Sequence, residues 1–414
     1  MQMIAGRGLF LAAVLVVAVA GVTIVLTHGS APSRAVARLA VRRPPALRPE
    51  HSSSRLPTQS PGRASAGSSR RPLSQRLSLP QLAGQRIVYA YAGLEPPASL
   101  LSAIRSGEAG GVIFFGPNIA SSAQIRGVIS ELQRASLASP VHTRLLMLTD
   151  QEGGEVRRLP GAPARSEKQI GESRDAVALA RSAGAGAGGN LHAVGMNVNL
   201  APVLDVYRRA GNFIDQFQRS YSQQPRTVAR LGAAFIIAQQ DRAVAATAKH
   251  FPGLGSAAQN QNTDLGPVTL GVSLATLRSV DEAPYRSAIA AGVKLVMTSW
   301  AVYPALDPHR PAGLSSTIIQ RELRGRLGFR GVTITDGIDA GAVTPYGSLG
   351  GRAVLAASAG ADLILCVATD PSDNTPGQGI TARNALASAL AHHQLGVTAA
   401  RQSAQRIIAL RNRP

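Results

Sequence analysis

The chain has 414 residues, enough for one large domain or two average ones, and 45% of them are hydrophobic, as expected of a globular protein carrying one extra apolar segment. Its formal charge is +20, yet residues 1–84 alone hold eleven Arg against the single acid Glu50. The remaining charge is spread without a dense Lys/Arg cluster, and aromatics make up only 4% of the chain, which argues against a base-stacking nucleic-acid platform.

In chain order, residues 9–26 form an uninterrupted apolar run after Arg7, close to the roughly 20 residues that span a bilayer. Residues 1–28 therefore read as a signal anchor or signal peptide, with the anchor favoured. Arg34, Arg38, Arg42 and Arg43 follow the run and pull against an outward-facing body under the positive-inside rule. A Pro/Ser/Arg-rich stretch at 29–83 has no apolar periodicity and reads as a disordered linker. The folded domain is expected over 84–414.

From Arg86 onward apolar runs alternate with amphipathic stretches. Eight runs read as strands: 86–93, 111–116, 145–150, 197–206, 245–251, 294–300, 331–336 and 362–368. Helix-like segments at 121–136, 175–194, 225–242, 275–291, 315–327 and 350–359 lie between them, with closing helices at 380–393 and 398–412. Such alternation implies parallel βαβ units, and eight of them fit an α/β fold of the (β/α)8 TIM-barrel type. A doubly wound open sheet is the rival, but the first strand is not followed by a phosphate-binding glycine fingerprint. The glycine-rich run 184–190 sits in a helical stretch and reads as a close-packing surface. Cys366, the only cysteine, lies in a predicted buried strand and reads as a small core residue.

In such a barrel the chemistry collects at the C-terminal ends of strands. Here those ends carry Asp150, Asp205, Lys249-His250 and Asp336. An isolated strand-end Asp is usually a turn or cap residue, but four such ends share one face once the barrel closes. Carboxylates beside fixed cations suit a polyhydroxylated ligand. No HExxH or CxxC spacing is present, and His392 and His393 fall in a late polar helix, so neither a metal nor a cofactor is expected. The absence of a GxSxG elbow excludes a serine-hydrolase reading.

These segments resemble glycoside hydrolase family 3, in its branch of bacterial β-N-acetylhexosaminidases with a single barrel domain. The resemblance rests on GGVIFFGPNI (110–119), LTDQEGGEVRRLPG (148–161), GMNVNLAPVLDV (195–206), RSY (219–221), KHFPGLG (249–255) and GFRGVTITDGIDAGA (328–342), which occur in family order. It implies a retaining exo-β-N-acetylhexosaminidase acting on cell-wall or chitin-type fragments. Asp336 would be the nucleophile, and Asp150, Arg158, Arg219, Lys249 and His250 would contact the sugar. The sequence departs from the family in the loop after Lys249-His250. Leu254 stands where a second histidine is usual, and an Asp–His dyad that normally follows is missing. That leaves Asp264 as the local acid/base candidate, or else as a turn residue. Gly337 also replaces an aspartate that commonly follows the nucleophile. Two other outcomes remain open: a non-catalytic, membrane-tethered glycan-binding barrel, and a β-glucosidase-like enzyme with another sugar preference. A monomer with an extracytoplasmic barrel is expected.

Overall fold

The computed structural model describes residues 72–412. The apolar run 9–26 and most of the 29–83 stretch lie outside them, and among the described residues no helix is long and apolar enough to cross a membrane.

Eight parallel strands close into a barrel: β1 (Ile87–Tyr89), β2 (Gly111–Ile113), β3 (Leu146–Thr149), β4 (Val198–Asn199), β5 (Ala245–Phe251), β6 (Leu295–Thr298), β7 (Val332–Gly337) and β8 (Leu363–Leu365). Neighbours in sequence are neighbours in space, and β1 pairs with β8 through Ile87↔Ile364 and Val88↔Leu365. Each strand falls in its expected run, except that β7 extends one residue past it to Gly337. Most are shorter than the apolar run that signalled them, because the apolar pattern continues past the last ladder bond. In the 197–206 run, Pro202 has no N–H to donate, and pairing resumes only as the bridge Val203↔Lys249.

Side chains alternate along the strands, as the two-residue pleat requires. Val88, Ile113, Leu146, Leu148, Val198, Leu295, Met297, Val332, Ile334, Leu363 and Leu365 fill the barrel interior as one buried cluster. Ile87 and Tyr89 belong to the separate cluster between barrel and helices.

The glycine-rich run behaves as a packing surface. Within the helix Ala176–Val194, a Cβ on Gly184 would lie 2.3 Å from the Phe235 carbonyl oxygen, and one on Gly188 would lie 2.8 Å from that of Gln239. Both contacts are on the neighbouring helix Pro225–Gln240, so small residues set how closely the two helices approach. His392 and His393 are exposed at the end of the helix Pro376–Ala391, while Cys366 is fully buried and burial pushes its thiol pKa up.

The start of the folded body differs from the expectation. Residues 73–84 form two short helices, Leu73–Arg76 and Leu79–Gly84, and Leu77, Leu82 and Ala83 join the outer core. Ser78 and Gln81 make a reciprocal capping box at the second helix. A segment with few apolar residues looked like linker because it contributes to a core built mostly by others.

Candidate active site

The DQEGG segment leaves β3 and turns sharply. Asp150 follows the strand directly, and Gln151–Gly153 pairs antiparallel with Val156–Arg157. Gly153 and Gly154 occupy the left-handed region at φ +114° and +58°, where a side chain would be strained, and a Cβ on Gly153 would also meet the Arg165 carbonyl oxygen at 2.3 Å. The Gln151 side chain fixes the returning strand. Its Oε1 accepts from the Arg158 and Leu159 amides, and its Nε2 donates to the carbonyls of Leu159 and Ala162. This places Asp150, Glu152 and Arg158 over the open end of the barrel.

The last residues of β5 supply the cation. Lys249 Nζ lies 2.7 Å from Asp150 Oδ1 and 2.7 Å from Glu152 Oε1. Arg219 grips Glu152 with two bonds, Nε to Oε2 and Nη2 to Oε1, both 2.9 Å. Burial alone would raise the Glu152 pKa, but the adjoining Arg219 and Lys249 outweigh it and hold the carboxyl at about 2. Lys249 is raised despite its own burial, through Asp150 and Glu152.

His250 is held from behind by Asp205. Its Nδ1 is 2.7 Å from Asp205 Oδ2, while Asp205 Oδ1 accepts from the Leu254 amide at 2.6 Å. Fixing Nδ1 leaves Nε2 directed toward the pocket, 3.4 Å from Arg219 Nη2. Leu254, where a second histidine is usual, is itself buried in the core and takes no part in the pocket.

Asp336 is the penultimate residue of β7, and its Oδ1 accepts from the following Gly337 amide at 2.8 Å. A Cβ on Gly337 would come within 2.8 Å of Val367 Cγ2, so a side chain here would have to displace that methyl. The Gly337 carbonyl in turn accepts the buried Trp300 indole N–H at 2.7 Å. Asp264 approaches from the loop after β5. The residue as a whole is exposed, but its carboxyl faces the crowded pocket, where desolvation first and then the charge of Asp336 push it up to about 6.

All seven residues singled out in the sequence meet around one cavity of about 370 Å³: Asp150, Arg158, Arg219, Lys249, His250, Asp264 and Asp336. Ile113, Phe115, Leu200 and Met297 add apolar lining. Two further residues were not assigned in sequence. Asp205 was visible as a strand-end carboxylate, but its bond to His250 depends on the fold. Glu152 had a signal: it lies two residues after Asp150 in an extended segment, where alternate residues share a face. Among the described residues no group of three or more His, Cys, Asp and Glu side chains is arranged to hold a metal ion.

A closed parallel barrel with carboxylates and a cationic clamp at its C-terminal end fits a barrel enzyme for a polyhydroxylated ligand. The chain belongs to glycoside hydrolase family 3, for the family model described as "Glycosyl hydrolase family 3 N terminal domain" matches residues 81–410. The protein is a glycoside hydrolase. It is 45% identical over 333 residues to an uncharacterized secreted glycosyl hydrolase of Arthroderma benhamiae, covering 80% of this chain and 92% of that one. It is 34% identical over 269 residues to a beta-hexosaminidase of Nitrosomonas eutropha, covering 63% of this chain and 74% of that one. Among solved structures it resembles a family 3 beta-N-acetylglucosaminidase from Paenibacillus sp. at a TM-score of 0.75 and 35% identity. That match covers 81% of this chain and 62% of the other. A beta-N-acetylhexosaminidase from Beutenbergia cavernae matches at 0.73 and 31%, over 81% and 98%.

Proposed function

We propose that the protein is a retaining exo-β-N-acetylhexosaminidase that removes terminal N-acetylglucosamine from cell-wall or chitin-type fragments. Asp336 attacks the anomeric carbon and forms a glycosyl-aspartate, and Asp264 protonates the departing oxygen. In the second step Asp264 takes a proton from water, which hydrolyses the intermediate. Asp150, Arg158, Lys249 and His250 contact the sugar, while Arg219 and Glu152 hold the cations and carboxylates in register.

One observation carries this reading. Two carboxylates of unlike environment face the same cavity, and the one raised to about 6 feels the charge of the other. A carboxyl raised in this way suits Asp264 for proton transfer beside Asp336 as the attacking group. The N-acetyl preference rests on similarity to the hexosaminidases above. Export agrees with the apolar run 9–26 and with the secreted character of the Arthroderma benhamiae relative. The direct test is hydrolysis of aryl N-acetyl-β-glucosaminides beside aryl glucosides. Turnover of the acetylated series that is lost in Asp336→Ala supports the proposal. Preference for plain glucosides would overturn the substrate, and equal background rates in both proteins would overturn the catalysis.

A further inference from the structure

Asp264 is a loop residue, and loops position groups less exactly than strands unless something ties them down. Here the tie comes from the nucleophile's own strand. Beyond Asp336, the chain runs into a short helix, Gly341–Tyr346. The Gly341 amide donates to the Asp264 carbonyl at 2.8 Å, and the Ala342 amide donates to the Thr263 carbonyl at 3.0 Å. These two donors belong to the first turn of that helix, where backbone N–H groups have no partner inside the helix. On the other side, Asn262 closes the turn. Its Oδ1 accepts from the Asp264 amide at 2.8 Å, and its carbonyl accepts from the Leu265 and Gly266 amides, each at 3.2 Å.

The clamp has room for no side chain. A Cβ on Gly341 would lie 2.4 Å from the Leu265 carbonyl oxygen, 2.5 Å from its carbonyl carbon and 2.9 Å from the Gly266 nitrogen. Those atoms are backbone and cannot rotate away, so any larger residue must push the loop outward. Gly341 lies outside the left-handed region, so a substitution there meets this contact and no strain of its own.

We propose that Gly341 is a positioning residue for the general acid: it lets the segment after the nucleophile dock directly on the Asp264 turn and fixes the two carboxylates relative to each other. The inference rests on the acid/base assignment of Asp264. A displaced Asp264 would protonate the leaving group poorly and leave the attack of Asp336 intact. Gly341→Ala should therefore act selectively on substrates that need protonation, and Asn262→Ala should act in the same direction from the other end of the turn.

The experiment measures kcat/KM for the full-length protein, Gly341→Ala, Asn262→Ala and Asp264→Asn on aryl N-acetyl-β-glucosaminides of graded leaving-group acidity. General acid catalysis is worth about 10²–10⁴-fold, so Asp264→Asn should lose activity on that scale for a phenyl leaving group and little for a dinitrophenyl one. Gly341→Ala should show the same steepened dependence, with a phenyl loss of at least roughly tenfold that is absent for dinitrophenyl. If Asp264→Asn is steep while Gly341→Ala and Asn262→Ala lose activity uniformly or not at all, the clamp is refuted and the acid/base assignment stands. A flat Asp264→Asn series refutes both. Should Gly341→Ala fail to fold, the Asn262→Ala series decides between the same two outcomes.

Discussion

Glu152 shows how the pocket's charge is arranged residue by residue. It is fully buried and shared by Arg219 and Lys249, so removing it takes from Arg219 its carboxylate partner and leaves Lys249 with Asp150 alone. Glu152→Ala should lower the unfolding free energy by about 3–5 kcal/mol, measured by urea denaturation at neutral pH. Because its carboxyl is depressed to about 2 from 4.5, the stabilisation it gives is present above pH 4.5 and is lost as the pH falls through about 2. Asp264 has the opposite sign. Its carboxyl is raised to about 6 and must be protonated to donate, so kcat/KM should fall as pH rises through about 6. Asp264→Asn should remove that alkaline limb; an unchanged limb would assign the proton to another group. At this scale the sequence was informative for residues that end strands, since Asp150, Lys249, His250 and Asp336 needed only the barrel to meet. It was silent on Asp205 as the partner of His250 and on why Leu254 and Gly337 are tolerated, because those answers depend on contacts between distant segments.

Among the elements, the βαβ alternation was legible because each barrel strand carries an apolar run that a helical pattern follows. What the sequence hid was brief or lightly apolar. The helices Leu73–Arg76, Leu79–Gly84 and Ala98–Arg105 are each too short to show a sustained period, and their stability comes from the core they cover. The glycine surface between Ala176–Val194 and Pro225–Gln240 makes a prediction of its own. Gly184→Val forces a side chain against the Phe235 backbone and should destabilise by about 1–3 kcal/mol, read as a lower thermal midpoint with the pocket chemistry unaffected. A neutral result would mean that the helices part without cost. The turn at Asn262–Gly266 belongs here too, since it joins the β5 loop to the segment after β7 and so couples the two ends of the pocket.

For the molecule as a whole, every residue assigned to the chemistry lies within 72–412, and the family match covers 81–410. A protein lacking residues 1–71 should therefore retain the hydrolytic rate of the full chain. A protein lacking residues 1–84 should lose stability, because Leu77, Leu82 and Ala83 leave the core with it. The closed barrel gives the pocket its character, bringing groups from β3, β5 and β7 to a single opening where Arg219 and Lys249 hold the Glu152 carboxyl charged. In the proposed mechanism Asp336 becomes covalently attached to the sugar. Incubation with a fluorinated N-acetylglucosaminyl donor, followed by intact-mass measurement and peptide mapping, tests it directly. One added glycosyl unit on the peptide containing Asp336, absent in Asp336→Ala, is the expected result. Turnover without any adduct, or an adduct on another residue, would contradict it.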